Sequence, residues 1–332
     1  MEKELKLKFK ASFKNGLDKF TETLKKYVSA DTGEWTVKGF IDIYKNIYTI
    51  SADTKIVSKI LEIHIFPLIL EFAESINYKL VLAEKQNWYP DLTFVNKENE
   101  DVKFAVDIKT TFRRNSKTAG FTLGSHGSYF KERDKKKNIQ FPYNQYLGHY
   151  CLGIIYTRTD FSDNLGETEI VHVEELLEGE VIKPDEKIGE RKVTHLKNLK
   201  SITSVIKDFD FFAEEKWKIA SDAQGSGNTA NIGSINDIEA LKKGQGIFSQ
   251  LGEEWFDEYW INYGSLSTLK DGKSVKITKL KDFLEFKGRS DLWQKIDPKI
   301  KAVNLFTVND VEHSVTEVDD TVDEAGNEVE ES

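Results

Sequence analysis

The chain has 332 residues, 39% of them hydrophobic and 31% charged, so it can bury a core as one large domain or two small ones. Its single cysteine, Cys151, lies in an apolar run, which excludes a disulfide framework and argues strongly against a zinc–thiolate site. The N-terminus lacks the apolar centre of a signal peptide, and no apolar run reaches the roughly 20 residues of a membrane span; the sequence therefore predicts a cytoplasmic protein.

The formal net charge of −9 is concentrated at the C-terminal end of the chain. Residues 309–332 contain ten acidic residues and no lysine or arginine, and removing them changes the net charge from −9 to +1. This composition predicts a disordered acidic tail. The remaining residues contain basic clusters at 113–114, 131–137 and 270–281, which are compatible with a nucleic-acid partner, although charge runs are usually only solvated faces.

Helical and strand periodicities alternate in the first part of the chain. Apolar spacing predicts a helix over 4–28, with Gly16 as a candidate break, and a second helix over 54–76 that Pro67 should kink or divide. Short strands are predicted near the end of 40–48 and over 78–83.

Two apolar runs, 92–95 and 102–106, flank the polar segment NKENED and predict a β-hairpin. Asp91 precedes the first run, and the Asp-Ile-Lys motif at 107–109 closes the second. Antiparallel neighbours can bring Asp91 and Asp107 to the same end of a sheet, although the pairing register is not readable from the sequence.

The Asp-x-Lys spacing alone has little value, since it occurs at seven places. Only the copy at Asp107 closes an apolar run, is followed by two β-branched residues, and has a Pro-Asp pair before another apolar strand upstream. A solvated hairpin with ordinary surface charges is the competing interpretation, and the local pattern does not decide between the two.

The chemistry of these side chains favours a metal-dependent phosphodiester-cleaving site. Two carboxylates at one point repel each other unless a cation lies between them, and Mg²⁺ prefers such oxygen ligands. A bound ion can activate water and neutralise charge on the scissile phosphate. Lys109 lies on the same strand face as Asp107, where it would contact the phosphate or help deprotonate the attacking water.

The second part of the chain is less regular. From the N-terminal side, the patterns predict a helix over 141–149, a buried strand over 151–156, no decidable structure over 159–210, a short strand over 217–220, a Gly/Ser/Asn loop over 223–234, and helices with basic faces over 255–293.

The loop sequence GSGNTANIGS has its own functional interpretation. Gly225 and Gly227 let the backbone approach another molecule closely, while the side chains of Asn228 and Thr229 can read base edges in the major groove. A flexible surface turn is one alternative. A phosphate-cradling nucleotide loop is another, but the required Gly-Lys-Ser/Thr does not follow.

Several segments with specific motifs occur in a fixed order: SADTKIVSKILEIHIFPLI (51–69), KQNWYPDLTF (85–94), FAVDIKTTF (104–112), FTLGSHGSYF (121–130), KNIQFPYNQYLGHY (137–150), IIYTR (154–158), AQGSGNTANIGSI (223–235) and GQGIF (244–248). Together they resemble the EcoRV-like type II restriction endonucleases of the PD-(D/E)xK nuclease superfamily. The resemblance implies an α/β fold with a restriction-endonuclease-like core: a mixed central β-sheet flanked by helices, with DNA-binding loops and a C-terminal helical part. It implies one domain over 1–305, with an insertion at about 159–210, before the tail at 309–332.

The same resemblance assigns roles to individual residues. It implies metal ligands at Asp91, Asp107 and Glu62, and a catalytic lysine at Lys109; by itself, Glu62 looks like an ordinary polar-face helix residue. It implies base contacts from Gly225, Gly227, Asn228 and Thr229. It implies DNA backbone or minor-groove contacts from Lys85, Gln86, Asn87, Thr110, Thr111, Ser128 and Lys137, with Arg158 nearby.

The implied activity is that of a bacterial, Mg²⁺-dependent, homodimeric endonuclease, with Mn²⁺ as a substitute. It would cut double-stranded DNA at a short palindrome, GATATC, to leave blunt ends, with a DNA methyltransferase protecting the host. A nicking or repair nuclease on the same core and a non-catalytic sequence-specific DNA-binding protein are the alternatives. The chain departs from the family pattern at Lys85, His126 and Ala230, and it is longer after Arg158.

Overall fold

The computed structural model describes residues 2–44, 46–85, 87–159, 170–174, 192–195, 202–225, 230–270 and 272–305. Among these residues the helices are α1 Lys3–Val28, α2 Thr54–Ser75, α3 Ser128–Lys131, α4 Lys216–Ile219, α5 Ile238–Lys242, α6 Glu253–Asn262, α7 Leu280–Phe286, α8 Ser290–Lys295 and α9 Pro298–Leu305. The strands are β1 Gly39–Ile41, β2 Asn46–Thr49, β3 Tyr78–Leu82, β4 Leu92–Asn96, β5 Lys103–Arg114, β6 Lys117–Thr118, β7 Thr122–Ser125, β8 Gly148–Arg158, β9 Ile170–Glu174, β10 Lys192–His195, β11 Ile206–Glu215, β12 Ala220–Gln224, β13 Asn231–Ser234, β14 Ser267–Lys270 and β15 Lys273–Lys276.

The central sheet is mixed, with the strand order β11-β8-β5-β4-β3 and the short β6 paired to the end of β5. The pairs β3–β4, β4–β5 and β8–β11 are antiparallel, whereas β5 and β8 are parallel. The first nine residues of β8 are all buried. Both faces of this strand are covered, and a strand of that kind has a nearly continuous apolar sequence. This confirms the predicted buried strand and the mixed sheet.

Helices α1 and α2 cover one face of this sheet. The apolar residues of α1 recur at helical spacing, and Phe13 stacks on Phe104 of β5 with ring centroids 4.1 Å apart. The carboxylate of Asp53 caps α2 by accepting the first free N–H groups of the helix. The breaks considered at Gly16 and Pro67 do not occur, because α1 is continuous across Gly16 and α2 is not divided at Pro67. A kink at Pro67 stays a prediction.

The other sheet face is covered by the strands β7, β12 and β13 and by the C-terminal helices. Strand β13 pairs with both β12 and β7. Trp260 of α6 is fully buried in this second core. Asp222 of β12 accepts hydrogen bonds from the Leu280 N–H at 3.0 Å and from Asn304 Nδ2 at 2.7 Å. These bonds fasten α7 and α9 to the base of the β12–β13 hairpin.

Two predicted elements are wrong. The predicted helix over 141–149 is a 3₁₀ turn at Tyr143–Gln145 followed by the start of β8, because its aromatic residues pack into a local cluster in which Tyr143 stacks on His149 at 3.7 Å. The predicted strand over 217–220 is mostly the turn α4, which buries Lys216.

Other segments are more ordered than their sequence indicates. The described parts of 159–210 form β9, β10 and the start of β11, and both ends of the 223–234 loop belong to strands. The 255–293 segment contains the predicted helices and also the hairpin β14–β15. Among the helices described, none is long and apolar enough to cross a membrane.

The contact between α1 and the sheet yields a stability prediction. Phe13→Ala should lower the free energy of unfolding by about 3–5 kcal/mol, because it leaves a cavity among packed rings. Urea unfolding followed by circular dichroism measures this change. Leu7→Ala, at a side chain of the same helix that is 58% exposed, is the control and should change stability by less than about 0.5 kcal/mol. Equal effects would contradict the packing described here.

Candidate active site

The register between β4 and β5 brings two carboxylates together. Leu92 pairs with Val106 in this antiparallel ladder, so Asp91, one residue before Leu92, stands opposite Asp107. The carboxylate of Asp91 crosses to β5 and accepts the N–H of Ile108 at 2.7 Å. The predicted hairpin is therefore confirmed, and its register places both acidic residues at one point.

Strand alternation separates the side chains of Asp107 and Lys109 from the core beneath α1 and α2. Phe104, Val106 and Ile108 belong to the core beneath α1 and α2, so Asp107 and Lys109 project from the opposite face. Lys109 Nζ donates to Asp107 Oδ2 at 2.6 Å. The spacing of two residues in a strand thus produces a direct ion pair.

The two carboxyl groups have opposite electrostatic environments. Although Asp91 is accessible to solvent, packing around its carboxyl group, followed by the negative charge of Asp107, raises its pKa to about 7. Burial would raise the pKa of Asp107 too, but the charge and hydrogen bond of Lys109 outweigh burial and lower it. At neutral pH Asp107 is therefore ionised, whereas Asp91, with a pKa of about 7, is only partly ionised.

A second lysine, Lys216 of α4, lies in a cage of aromatic rings and is influenced by the charge of Asp107. Its Nζ lies 5.2 to 6.0 Å from the ring centroids of Tyr89, Tyr129, Phe130 and Tyr143. The Nζ atom is buried and has no hydrogen-bond partner. Burial lowers the pKa of Lys216 to about 7, against the opposing influence of the Asp107 charge. Sequence reasoning missed this residue, because its surroundings come from four distant segments.

Comparison with known proteins gives the family of the chain. The family profile described as "Restriction endonuclease EcoRV" matches residues 31–185 and 179–288. The "Type II restriction enzyme EcoRV" of Escherichia coli is 33% identical to this chain over 258 residues, which make up 77% of this chain and 93% of that protein. The chain belongs to the EcoRV restriction endonuclease family. It is therefore a restriction endonuclease with DNA as its substrate, as the sequence resemblance implies.

In this EcoRV-family chain, Glu62 lies on α2 and pairs with Lys59 at 2.8 Å. The hydrogen bond and charge of Glu62 raise the pKa of Lys59, and Asp91 adds to the effect, so this turn of α2 lies within electrostatic reach of the carboxylate pair. No group of three or more His, Cys, Asp or Glu side chains able to hold a metal occurs among the described residues. A metal-ligand role for Glu62 stays a prediction.

The remaining pair fits a small divalent cation. Asp91 and Asp107 lie within hydrogen-bonding reach of each other, and burial, followed by the negative charge of Asp107, raises the pKa of Asp91. Mg²⁺ typically takes one or two carboxylates and completes its shell with water and phosphate oxygens. Asp91 and Asp107 would thus be sufficient protein ligands for one Mg²⁺ ion, and the sheet would hold both of them in position.

The predicted DNA-backbone residues lie in different settings. Lys85, Asn87 and Lys137 are exposed, and Lys85 Nζ lies 5.4 Å from the centroid of the Trp88 ring. Gln86 lies outside the described residues. The exposed positions leave these side chains open to a ligand, and their contacts with DNA stay predictions.

Three further predicted contact residues already have partners within the protein. Thr110 Oγ1 hydrogen-bonds to Ser58 of α2. The buried Thr111 donates to the carbonyl of Gly120 at 3.3 Å, and Ser128 Oγ accepts a hydrogen bond from Asn138. These bonds hold β5 and α3 against neighbouring segments. Each of the three residues has a different partner, and the structure does not bring them together in one site.

The predicted recognition loop is carried by the hairpin β12–β13. The Gly225 N–H donates to the Asn231 carbonyl at 3.1 Å, and a Cβ added at Gly225 would overlap the Thr122 side chain of β7. Glycine is therefore required for the packing of the hairpin. Gly227, Asn228 and Thr229 lie outside the described residues, and their base contacts stay predictions.

The raised pKa of Asp91 predicts a pH-dependent stability. A carboxyl group whose pKa rises from 3.8 to about 7 on folding stabilises the fold below its unfolded pKa, and this contribution is lost as pH rises through about 7. Asp91→Asn should remove that loss, so its stability relative to the parent should increase between about pH 5 and about pH 8. Urea unfolding in EDTA measures the difference.

The exposed Asp101 provides a matched control for this experiment, and Asp101→Asn should show no such pH trend. If the stabilities of Asp91→Asn and the parent stay parallel across the pH range, the carboxylates do not share the environment described.

Proposed function

We propose that this restriction endonuclease hydrolyses both strands of DNA with the aid of Mg²⁺ held by Asp91 and Asp107. The supporting observation is the placement of these two carboxylates side by side, with Lys109 Nζ 2.6 Å from Asp107. When bound, the ion would supply a Lewis acid for the scissile phosphate and lower the pKa of water. Mn²⁺, which accepts the same oxygen ligands, would substitute.

Lys109 acts in this proposal as a fixed cation. Burial would lower its pKa, but the charges of Asp107 and Asp91 outweigh burial and raise it, so the side chain keeps its proton at neutral pH. A protonated amine cannot accept a proton from water. In this protonated form Lys109 would stabilise negative charge on the phosphate, which is one of the two roles that the sequence allows for it.

Glu62 would support the site from α2. Its position beside Lys59, whose pKa responds to Asp91, places a carboxylate within electrostatic reach of the catalytic pair. We assign to it an auxiliary role, either in a second metal position or in orienting the first. Lys59 would have to release the carboxylate for either role.

The enzyme would act as a homodimer on a palindromic site. A two-fold symmetric protein presents the same surface to both half-sites, and one active site per protomer then cuts each strand. The DNA backbone and minor groove would be contacted by Lys85, Gln86, Asn87, Thr110, Thr111, Ser128 and Lys137. Host DNA would need protection by a methyltransferase of matching specificity.

Substitution of the catalytic residues tests the proposed chemistry. Asp107→Ala and Lys109→Ala should each reduce plasmid cleavage in Mg²⁺ by more than about 100-fold, because each removes a charge that acts on the reacting phosphate. DNA binding, measured by gel retardation with Ca²⁺ in place of Mg²⁺, should change little, since phosphate contacts are spread over many residues.

The neighbouring Asp-x-Lys copy supplies the control. Asp101 and Lys103 have the same spacing but lie at the hairpin turn and the start of β5, and Asp101→Ala and Lys103→Ala should cleave at the parental rate. Cleavage by either catalytic variant within tenfold of the parent would remove the proposed site. Open circles as the final plasmid product would indicate a nicking enzyme.

The proposed recognition sequence is GATATC, cut at its centre to leave blunt ends. The support is the loop sequence GSGNT at 225–229, which matches the family pattern at the positions assigned to base contacts. An asparagine can pair in bidentate fashion with adenine. The central TA step, which is easily deformed, would be read through the energy of bending.

Sequencing the ends of digested phage DNA tests this specificity. Asn228→Ala should lose discrimination at the outer base pairs, since a bidentate contact contributes about 1–3 kcal/mol, while cleavage chemistry is retained. Ends that do not derive from GATATC would overturn the assigned sequence and leave the nuclease mechanism standing.

A further inference from the structure

One residue, His126, is bonded to both stems of the β12–β13 hairpin. Its backbone N–H donates to the carbonyl of Ala230, one residue before β13, at 2.8 Å. Its ring atom Nε2 lies 2.8 Å from Nε2 of Gln224, the last residue of β12. Because His126 directly follows β7, the end of that strand is joined to the chain on both sides of the segment 225–229.

The contact with Gln224 uses the neutral form of the histidine ring. In this orientation the amide nitrogen of Gln224 donates, so Nε2 of His126 accepts and the ring proton lies on Nδ1. Burial, followed by the charges of Lys131 and Lys216, lowers the pKa of His126. The ring is therefore neutral at neutral pH, and its Nε2 atom is free to accept.

Packing alone does not account for a histidine at this position. His126 is 6% exposed, and its ring centroid lies 5.2 Å from those of Trp260 and Tyr263. Its Nδ1 atom is buried and has no hydrogen-bond partner among the described residues. A phenylalanine would fill this aromatic pocket without burying an unpartnered polar atom. The ring nitrogen that does have a partner is the one bonded to the hairpin.

The reading of bases depends on how the stems of a loop are held. A side chain discriminates between bases only from within hydrogen-bonding distance of the correct base edge, and a displacement of about 1 Å in its support is enough to lose that geometry. The bond from the Gly225 N–H to the Asn231 carbonyl joins the stems to each other. The two bonds of His126 join both stems to the end of β7.

We propose that His126 is a positioning residue for DNA recognition, which holds the stems of the β12–β13 hairpin where residues 225–229 can read bases. The inference rests on the proposed base contacts of that segment. His126 takes no part in the chemistry at the carboxylates, and its effect is on the choice of sequence. Two of the positions at which the chain departs from the family pattern, His126 and Ala230, meet in this contact.

Cleavage of matched DNA duplexes by the full-length protein in Mg²⁺ tests this role. One duplex contains the site identified by sequencing the ends of digested DNA, and the others differ from it by one base pair in one half-site. The discrimination ratio is kcat/KM for the site divided by kcat/KM for a variant site. His126→Phe should lower this ratio about fivefold, the factor that corresponds to one hydrogen bond of ordinary strength. It should unfold at the same urea concentration as the parent or a higher one, because ring packing is kept.

His126→Gln separates the hydrogen bond from the packing. Its amide can place a polar atom near the position of Nε2, so the discrimination ratio should stay within about twofold of the parental value. It should unfold at a lower urea concentration than His126→Phe, because it loses the ring contacts with Trp260 and Tyr263. Discrimination and stability should thus change in opposite directions in the two variants, which a purely structural role would not produce.

The exposed partner Gln224 provides a variant with little risk to folding. Gln224→Ala should lower the discrimination ratio as much as His126→Phe does, and the double variant should lower it no further, because both changes remove the same bond.

The control is His64→Phe, the same change at a histidine of α2 that accepts the Trp35 ring N–H at 3.2 Å; it should leave the discrimination ratio unchanged. A parental ratio in His126→Phe, or a ratio that follows stability across all variants, would overturn the proposal. If Asn228→Ala leaves the ratio unchanged, the proposed base contacts themselves fail, which is a separate outcome.

Discussion

The site depends on one constraint, the antiparallel register that places Asp91 opposite Asp107. Two carboxylates held this close by backbone pairing cannot move apart, so the protein must supply positive charge or accept a proton. It does both, because Lys109 pairs with Asp107 and the pKa of Asp91 rises to about 7.

The fold keeps the two carboxylates together by burying most of strand β5, which carries Asp107. Strand β5 has neighbours on both sides, one antiparallel and one parallel, and its apolar side chains alternate with Asp107 and Lys109. Helix α1 packs on it through Phe13, while the second core covers the other face. Side chains on a central strand keep their geometry better than side chains on loops, so the strand holds Asp107 and Lys109 in a fixed arrangement.

The parts of the site that follow from local periodicity were predictable, and the parts that depend on distant packing were not. The hairpin and the shared face of Asp107 and Lys109 follow from alternation alone, but the register required the three-dimensional pairing. The predicted helix over 141–149 is wrong because the packing of Tyr143 against His149 overrides local spacing. Lys216 has no local signal, since its cage is assembled from segments far apart in the sequence.

A single short segment runs from the aromatic cage around Lys216 to the end of strand β12. It begins at Lys216 in the aromatic cage, continues through the turn α4, and enters β12, where Asp222 is fixed by α7 and α9. It ends at Gly225, which is packed against Thr122 and bonded to β13. Because Lys216 is buried, Gly225 is packed against Thr122, and the span between them contains only a helical turn and a strand, the segment has little freedom to move. The C-terminal helical part therefore does more than extend the core, since the bonds from α7 and α9 to Asp222 add to the β13–β7 pairing in fixing the base of the β12–β13 hairpin.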